Sequence, residues 1–547
     1  MFKFLWRTSW KTICWVIFVG IAAGLSNAGL IATVNEAISH SELDQLLLLQ
    51  FAGLCVLVII AEVFTAYMTG RLSETTLCKL RLELAKIIIS APYPVLYKFG
   101  KAKILANLTA DIASISQAFT LFPDLFINAA VFIGCMAYLA WLSWKLAVFL
   151  LAAIFLGMAV YNQLIHHSKG ALEKSREEYD NLNKDFYTLT EGIKELKLNQ
   201  NRANDFINHS LTQNAVNNQQ LALTAKKIFI ASDKFLFVLY YAIVGAIIFV
   251  LPQSQISREI ISGYILVLLY ISGHISAFNH SLPLFTGGKV ALDRISHLTD
   301  SLTHLESGQT DYAASTIPAF DTISLNNVTH RFHNEKENRS FTLGPINLDF
   351  KRGELVFLIG GNGSGKTTLA MLLLGLYHPE QGQIRLNSIE ITDINRISYM
   401  QNFSAVFSDF FLFEQLFGIN QDNINQNAQQ YINQLHLHHK INIDNGKLST
   451  VNLSQGQRKR LALLTAYLED RPFYVFDEWA ADQDPEFKQI FYYELLPELK
   501  SRGKTVLAIT HDDKYFHLAD RCIKLEEGKI KAVWQPSIDE KAGRHAN

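Results

Sequence analysis

The sequence is short of charge, of proline and of any cysteine pattern. Only 18% of its 547 residues are charged, against 49% that are hydrophobic, and the mean hydropathy is +0.13. That balance excludes a largely disordered chain and leans toward a membrane protein. Twelve prolines and 30 glycines, with no period to them, exclude a collagen-like or proline-rich chain. A net charge of −1 leaves no general basicity with which to hold a phosphate backbone, so no nucleic-acid partner is expected. The cysteines (Cys14, Cys55, Cys78, Cys135 and Cys522) form no CxxC pair and no Cys/His cluster, and most lie in or near apolar runs. A disulfide framework or a zinc site is therefore not expected.

What the sequence does have is a division into two halves. The first 300 residues are apolar with a basic excess, and the remainder is acidic. A membrane helix needs about 20 apolar residues to cross a hydrocarbon core about 30 Å thick. Six stretches approach or meet this: 12–34, 46–69, 121–142, 146–165, 229–251 and 260–284. The first has a basic start but a long apolar run and no clear small-residue cleavage site, so it is expected to be a retained helix. Lys and Arg concentrate between the second and third spans (Arg71, Lys79, Arg81, Lys86, Lys98, Lys101, Lys103) and between the fourth and fifth, while the 35–45 loop has none. Long basic segments then face the cytoplasm, and both termini are expected there. Residues 71–90 and 169–228 keep apolar side chains at helical spacing and read as membrane helices continuing into the cytoplasm. A stretch rich in Ser, Thr, Gly and Asp at 296–319 reads as a linker. The division is thus 1–295 transmembrane domain, 296–319 linker and 320–547 soluble domain. From Phe320 strand-like and helix-like segments alternate, an α/β pattern.

In that soluble half the buried-strand run Leu355–Ile359 leads into Gly360-Gly361-Asn362-Gly363-Ser364-Gly365-Lys366-Thr367-Thr368 and then a helical run. This is GxxxxGK[ST] in strand–loop–helix context, where backbone N–H groups and a helix N-terminus cradle phosphates. Lys366 is expected to reach the β- and γ-phosphates and Thr367 to meet Mg2+. The apolar run Phe473–Phe476 ends in Asp477 and Glu478; the first fits a Mg2+ partner and the second a general base for an attacking water. Leu453-Ser454-Gln455-Gly456-Gln457 precedes it, and a strand from Thr505 ends near His511, placed for a γ-phosphate contact. Each piece alone is a weak signal; their order and spacing are not.

In those motifs the soluble half resembles the nucleotide-binding domain of ATP-binding-cassette transporters, and the six spans resemble the exporter class. The resemblance implies an all-α six-helix transmembrane domain fused to an α/β P-loop ATPase, with ATP and Mg2+ as cofactors. It makes Leu453–Gln457 the signature motif, with Ser454, Gly456 and Gln457 at the nucleotide. Glu478 becomes the catalytic base and His511 the switch histidine. Asp484 falls at the dimer-contact loop, and Phe332 at the aromatic that stacks on adenine. In this family the signature of one domain closes over nucleotide held by another, so a chain with one such domain implies a homodimer. Two positions depart from the pattern: Gln455 stands where Gly is usual, and Ser408, beside Asp409, stands where a Mg2+-contacting Gln is usual. Ser408 or Asp409 would take that role.

Gly344–Leu348, the Gly360-Gly361-Asn362-Gly363 loop and Asp477-Glu478-Trp479-Ala480-Ala481-Asp482-Gln483-Asp484-Pro485 narrow the resemblance to the bacterial cyclic-peptide and siderophore-peptide exporter family. The expectation is a homodimeric exporter in the bacterial inner membrane, among membrane lipids. It would move a compact or cyclic peptide, or a peptide siderophore, from cytoplasm to periplasm. A lipid or glycolipid flippase and a broad multidrug exporter are the alternatives. No leader-peptidase domain is expected, since the first span starts near residue 12. Polar residues are costly inside spans, which singles out Glu62 and His274 as cavity candidates, with Asn128, Asp233, Lys234, Asn279 and His280 behind them. Docking on the ATPase domains is expected around 98–111 and 181–198.

Overall fold

The structure, a computed structural model, describes residues 2–39, 45–250, 258–303, 320–334, 339–419 and 424–536. The chain divides into two compact units, Met1–Lys86 with Ala102–Thr299, and Ile87–Lys101 with Asp300–Asn547.

The first unit is all helix. Every one of the six apolar stretches is helical over its described residues. Cys14–Ile38, Gln45–Ser90, Trp144–Tyr161 and Gln200–Phe249 are long and apolar enough to cross a membrane. Ile127–Leu142 and Ile260–Ile275 are shorter apolar segments of the helices Ile112–Leu142 and Arg258–Thr303. The basic segments continue as helix, as their spacing predicts: one helix runs Gln45–Ser90 and another Trp144–Glu191. The last helix continues to Thr303, past the position where the composition turns linker-like, because Leu298 and Leu302 still bury on its inner face. Residues 304–319 lie outside the described residues.

Packing in this unit relies on small residues. A Cβ on Gly24 would meet the Ala130 backbone at 2.6 Å, and one on Gly134 would meet Gly24 O at 3.3 Å. The helices Phe2–Ser39 and Ile112–Leu142 therefore touch nearly backbone to backbone, as small residues allow between membrane helices. Val131, Cys135, Leu139, Tyr264, Val267 and Ile271 form the core beside that crossing.

The second unit carries two sheets. The six-stranded sheet has the order 529–534, 521–526, 355–359, 505–509, 473–477, 403–406. Its pairs are parallel except the edge pair Arg521–Glu526 with Lys529–Trp534. Leu355–Ile359 has a parallel partner on each side, which is why it is an unbroken apolar run rather than an alternating one. A four-stranded antiparallel sheet holds Arg339–Lys351, Thr322–Asn334, Gln381–Leu386 and Ile389–Glu390. The helix Lys366–Leu373 packs its Leu369, Leu372 and Leu373 into the core between them.

The segment Ile87–Lys101 belongs to this second unit. Its short helix Tyr93–Phe99 has Pro92 at the N-cap and carries Pro94 in its first turn, where a missing N–H costs no helical bond. Tyr93 packs against Tyr377 with centroids 6.1 Å apart, and Tyr97 meets Phe332 at 6.4 Å. This helix reaches the start of the expected docking stretch 98–111 at Lys98 and Phe99, and its tyrosines make ring contacts within the second unit. The second expected docking stretch is a helix to Glu191, a break at Gly192 and a short helix Ile193–Leu198 with Ile193 and Leu198 exposed.

Candidate nucleotide site

The loop 360–365 leaves the C-terminal end of Leu355–Ile359, an inner strand of the parallel sheet, where ligands bind in open α/β sheets. Gly363 and Gly365 have φ of 76° and 99°, a region that favours glycine. A side chain on Gly360 would strike Leu525 O at 2.3 Å, whereas Cβ atoms on Gly361 and Gly363 would meet nothing within 4 Å. The loop is thus wedged against the sheet at one end and open along its outer edge.

Lys366 is the first residue of the following helix and is buried, its Nζ donating to Gly360 O at 2.9 Å and Gly361 O at 3.1 Å. The Ser364 hydroxyl is buried and has no hydrogen-bond partner among the described residues. An orphaned hydroxyl and a lysine at the mouth of an open ring of N–H groups suit a phosphate chain. Asn362 is exposed on the loop and Thr368 is half-buried on the helix.

Two strands away, Asp477 ends Phe473–Asp477 and is 2% exposed. Thr367 Oγ1 donates to Asp477 Oδ2 at 3.2 Å. Burial pushes the Asp477 carboxyl above its ordinary range, with the Thr367 hydrogen bond opposing and the Glu478 charge adding to the shift. Glu478 follows in a left-handed conformation, φ 50° and ψ 34°. Its Oε1 lies 3.8 Å from Lys366 Nζ and 3.2 Å from His511 Nε2. Lys366, Thr367, Asp477, Glu478 and His511, named from sequence, are therefore one connected group.

At the second departure Asp409, in the turn after Phe403–Val406, is the member whose charge reaches this group, raising Asp477 and also Tyr93 on the docked helix. Ser408 is exposed in the same turn. For a metal, Thr367 and Asp477 offer two hard oxygens. Among the described residues no group of three or more His, Cys, Asp or Glu is arranged to hold an ion. A Mg2+ there would complete its shell with phosphate and water oxygens, as that ion commonly does.

The signature residues sit elsewhere. Ser454 caps the helix Gln455–Glu469 in a capping box with Gln457: Gln457 N donates to Ser454 Oγ at 3.4 Å and Ser454 N to Gln457 Oε1 at 3.2 Å. Gly456 is half-buried behind it, its carbonyl accepting from Gln483 Nε2 at 3.0 Å. Asp484 caps Pro485–Gln489 and accepts from Arg460 at 2.5 Å; the Phe487 N–H, then Arg460, hold its carboxyl below the usual range. Phe332 lies on Thr322–Asn334, half-buried with Tyr97 against it.

Lys459 is not singled out by the sequence, where it stands as one of a basic trio. It is 2% exposed, donates to Glu478 O at 3.0 Å and pairs with Asp482 at 2.7 Å. The available signal is its position four residues before Leu463, on the buried stripe of the helix.

In the membrane unit His274 Nδ1 lies 2.6 Å from Asn128 Oδ1, and the Tyr270 ring is 4.8 Å from the imidazole. His274 and Asn128 thus form one polar pair, while Glu62 is exposed on the helix Gln45–Ser90. Lys234 is exposed, and the side chains of Asp233, Asn279 and His280 lie outside the described residues.

Fold and site together define a P-loop ATPase joined in one chain to a helical membrane domain. Residues 343–481 match the family model for the ABC transporter, and residues 13–275 that for the ABC transporter transmembrane region. The chain is 36% identical to ATP-binding protein SyrD of Pseudomonas syringae pv. syringae, covering 96% of this chain and 95% of that protein. It is 23% identical to an ATP-dependent lipid A-core flippase of Thiobacillus denitrificans, over 87% of this chain and 84% of the flippase. Among solved structures, a bacterial Atm1-family ABC exporter with ATP bound shares the fold, with a TM-score of 0.77 over 98% of this chain and 97% of that one at 14% identity. The chain belongs to the ATP-binding-cassette exporters: a membrane protein that binds ATP and couples its hydrolysis to transport.

Proposed function

We propose that this chain is one half of a homodimer that exports a compact or cyclic peptide, or a peptide siderophore, across the bacterial inner membrane. Both termini face the cytoplasm and the cargo leaves toward the periplasm. In this reading the N–H groups of Gly361–Gly365, with Lys366, hold the β- and γ-phosphates of ATP, and Phe332 stacks on the adenine. Thr367 and Asp477 hold Mg2+, with Asp409 in place of the usual Gln. Bound there, the ion would neutralise phosphate charge as the terminal bond breaks. Glu478 Oε1 orients the attacking water and accepts its proton, and His511 keeps that carboxylate turned toward the γ-phosphate. Ser454, Gly456 and Gln457 of the partner close the far side, and Asp484 lies at that contact. Closure of two such sites turns the membrane helices outward; hydrolysis resets them.

The observation that carries the ATPase assignment is the single contact group Lys366–Glu478–His511 beside Thr367–Asp477. Peptide as cargo is supported by the Trp479–Asp484 sequence in place of the superfamily's commoner one. Glu62 and His274 are the residues we place at the cargo cavity.

The test is ATP-dependent uptake of a panel of cyclic and linear peptides into inside-out vesicles, with Glu478→Gln vesicles alongside. Uptake of a peptide by the wild type, lost in the variant, is the expected result. Intact wild-type ATPase with no peptide uptake, and stimulation by a copurified lipid, would replace the peptide with a lipid. That second reading is favoured by the likeness to the lipid A-core flippase.

A further inference from the structure

Gln455, which stands where the superfamily usually has Gly, touches the Trp479–Asp484 stretch that replaces the superfamily's commoner sequence. Gln455 Nε2 donates to Asp482 Oδ2 at 3.1 Å, and Lys459 Nζ pairs with the same carboxylate oxygen at 2.7 Å. Next along the chain, Gln483 Nε2 donates to Gly456 O at 3.0 Å while its Oε1 accepts from Arg460 Nε at 3.0 Å. Lys459 also donates to the Glu478 carbonyl at 3.0 Å, and Trp479 Nε1 donates back to Lys459 O at 2.8 Å. Lys459, Trp479 and Gln483 are all buried. The first two turns of the signature helix are thus bonded through Gln455, Gly456, Lys459 and Arg460 to Glu478 and the segment that follows it.

Physical chemistry makes this more than surface decoration. A buried ammonium must be paired, so Lys459 ties its helix to both Asp482 and the Glu478 backbone. Glu478 stands in a left-handed conformation that is unfavourable for a residue with a side chain and persists only where neighbours fix it. The Lys459 bond, a bond from Glu478 N to Ile509 O at 3.1 Å and one from Ala481 N to Glu478 O at 3.2 Å hold it. With Gly at position 455 the link from the helix cap to Asp482 would be missing.

We propose that Gln455, Lys459 and Asp482 act as positioning residues, forming an intrachain clamp that sets the Glu478 carboxylate and the Ser454 helix end in one rigid register. Through this clamp, arrival of the Ser454 end at a partner's nucleotide and alignment of Glu478 at the chain's own nucleotide are a single movement. The inference rests on the dimeric ATPase reading above and deepens it. The clamp governs the rate of hydrolysis and leaves the phosphate-holding loop untouched.

The experiment is steady-state ATPase of the full-length protein in lipid nanodiscs, with kcat and KM measured separately. Gln455→Glu sets two carboxylates against each other and should lower kcat about tenfold or more, with KM for ATP within about twofold. Adding Asp482→Asn, so that the amide now donates and the carboxylate at 455 accepts and faces Lys459, should restore most of kcat. Gln455→Ala, read with its melting temperature, covers the case in which the repulsive variant does not fold; it should lower kcat without lowering Tm. An unchanged kcat in Gln455→Glu and Gln455→Ala, or a double variant no better than Gln455→Glu, overturns the clamp. Glu478→Gln is measured in parallel. If it turns over normally, the ATPase reading itself fails and the clamp with it; if it is dead while the clamp variants are normal, only the clamp is lost.

Discussion

At the scale of single residues, environment rather than identity distinguishes the acids of this site. Asp477 is enclosed by the sheet and hydrogen-bonded to Thr367, while Glu478, one residue on, is turned out of the strand toward Lys366 and His511. The left-handed backbone at Glu478 is what separates the two carboxylates. Phe332 offers a further residue-scale test. An aromatic face on adenine is worth about 0.5–1.5 kcal/mol beyond its buried area, or about two- to tenfold in affinity. Phe332→Leu keeps the apolar bulk against Tyr97 and loses the ring. Equilibrium ATP binding should weaken by that factor, while kcat at saturating ATP holds.

Elements are placed here by what their smallest residues permit. The crossing of Phe2–Ser39 with Ile112–Leu142 is close because Gly24 and Gly134 face each other's helix. Replacing Gly by Ala inside a helix normally gains up to about 1 kcal/mol, but not where the new methyl has no room. Gly24→Ala should therefore lower the melting temperature of the detergent-solubilised protein, through an overpacking cost of about 1–3 kcal/mol. Gly53→Ala, whose Cβ would meet nothing within 4 Å, should leave it unchanged or raise it. Equal effects at both positions would show that the close crossing does not hold in the bilayer protein. The short helix Tyr93–Phe99 is the other informative element: Tyr97 packs on Phe332, and Asp409 acts on both Tyr93 and Asp477. One short aromatic helix thereby packs on both Tyr377 and Phe332.

For the whole molecule, the phosphate loop and the signature helix end belong to separate groups of contacts within one chain. Ser454 satisfies its own helix rather than the Lys366 group. If each nucleotide is enclosed by the loop of one chain and the helix end of another, two dead variants can complement. Lys366→Ala and Ser454→Arg, each inactive alone, should recover ATPase when coexpressed, since one site of the mixed dimer keeps both of its parts. Inactivity of the mixed dimer, with dimer formation verified by light scattering, would count against shared sites.

Much of this is legible in the residues themselves. The phosphate loop is contiguous, so strand, turn and helix N-terminus can be read from one short stretch, and its chemistry needs no distant partner. The membrane helices are legible for a related reason: a hydrocarbon solvent demands a long apolar run, and composition alone reports it. The ring contacts of Tyr93 and Tyr97 join residues far apart in the chain, so no local pattern marks them. Ser408 and Asp409 lie in one turn after Phe403–Val406, and both are plausible oxygens at that distance in sequence.

What the sequence determined by itself was therefore whatever a local pattern or a bulk solvent preference can encode: the spans, the nucleotide loop, the acids at a strand end, the family. Tertiary structure alone decided what depends on residues far apart in the chain. It paired His274 with Asn128 across 146 residues, buried Lys459 beneath Glu478, and joined Gln455 to Asp482. Such contacts carry no local signature. Their partners are selected by how whole elements pack, and a lysine or a glutamine looks the same in sequence whether its fate is solvent or the core.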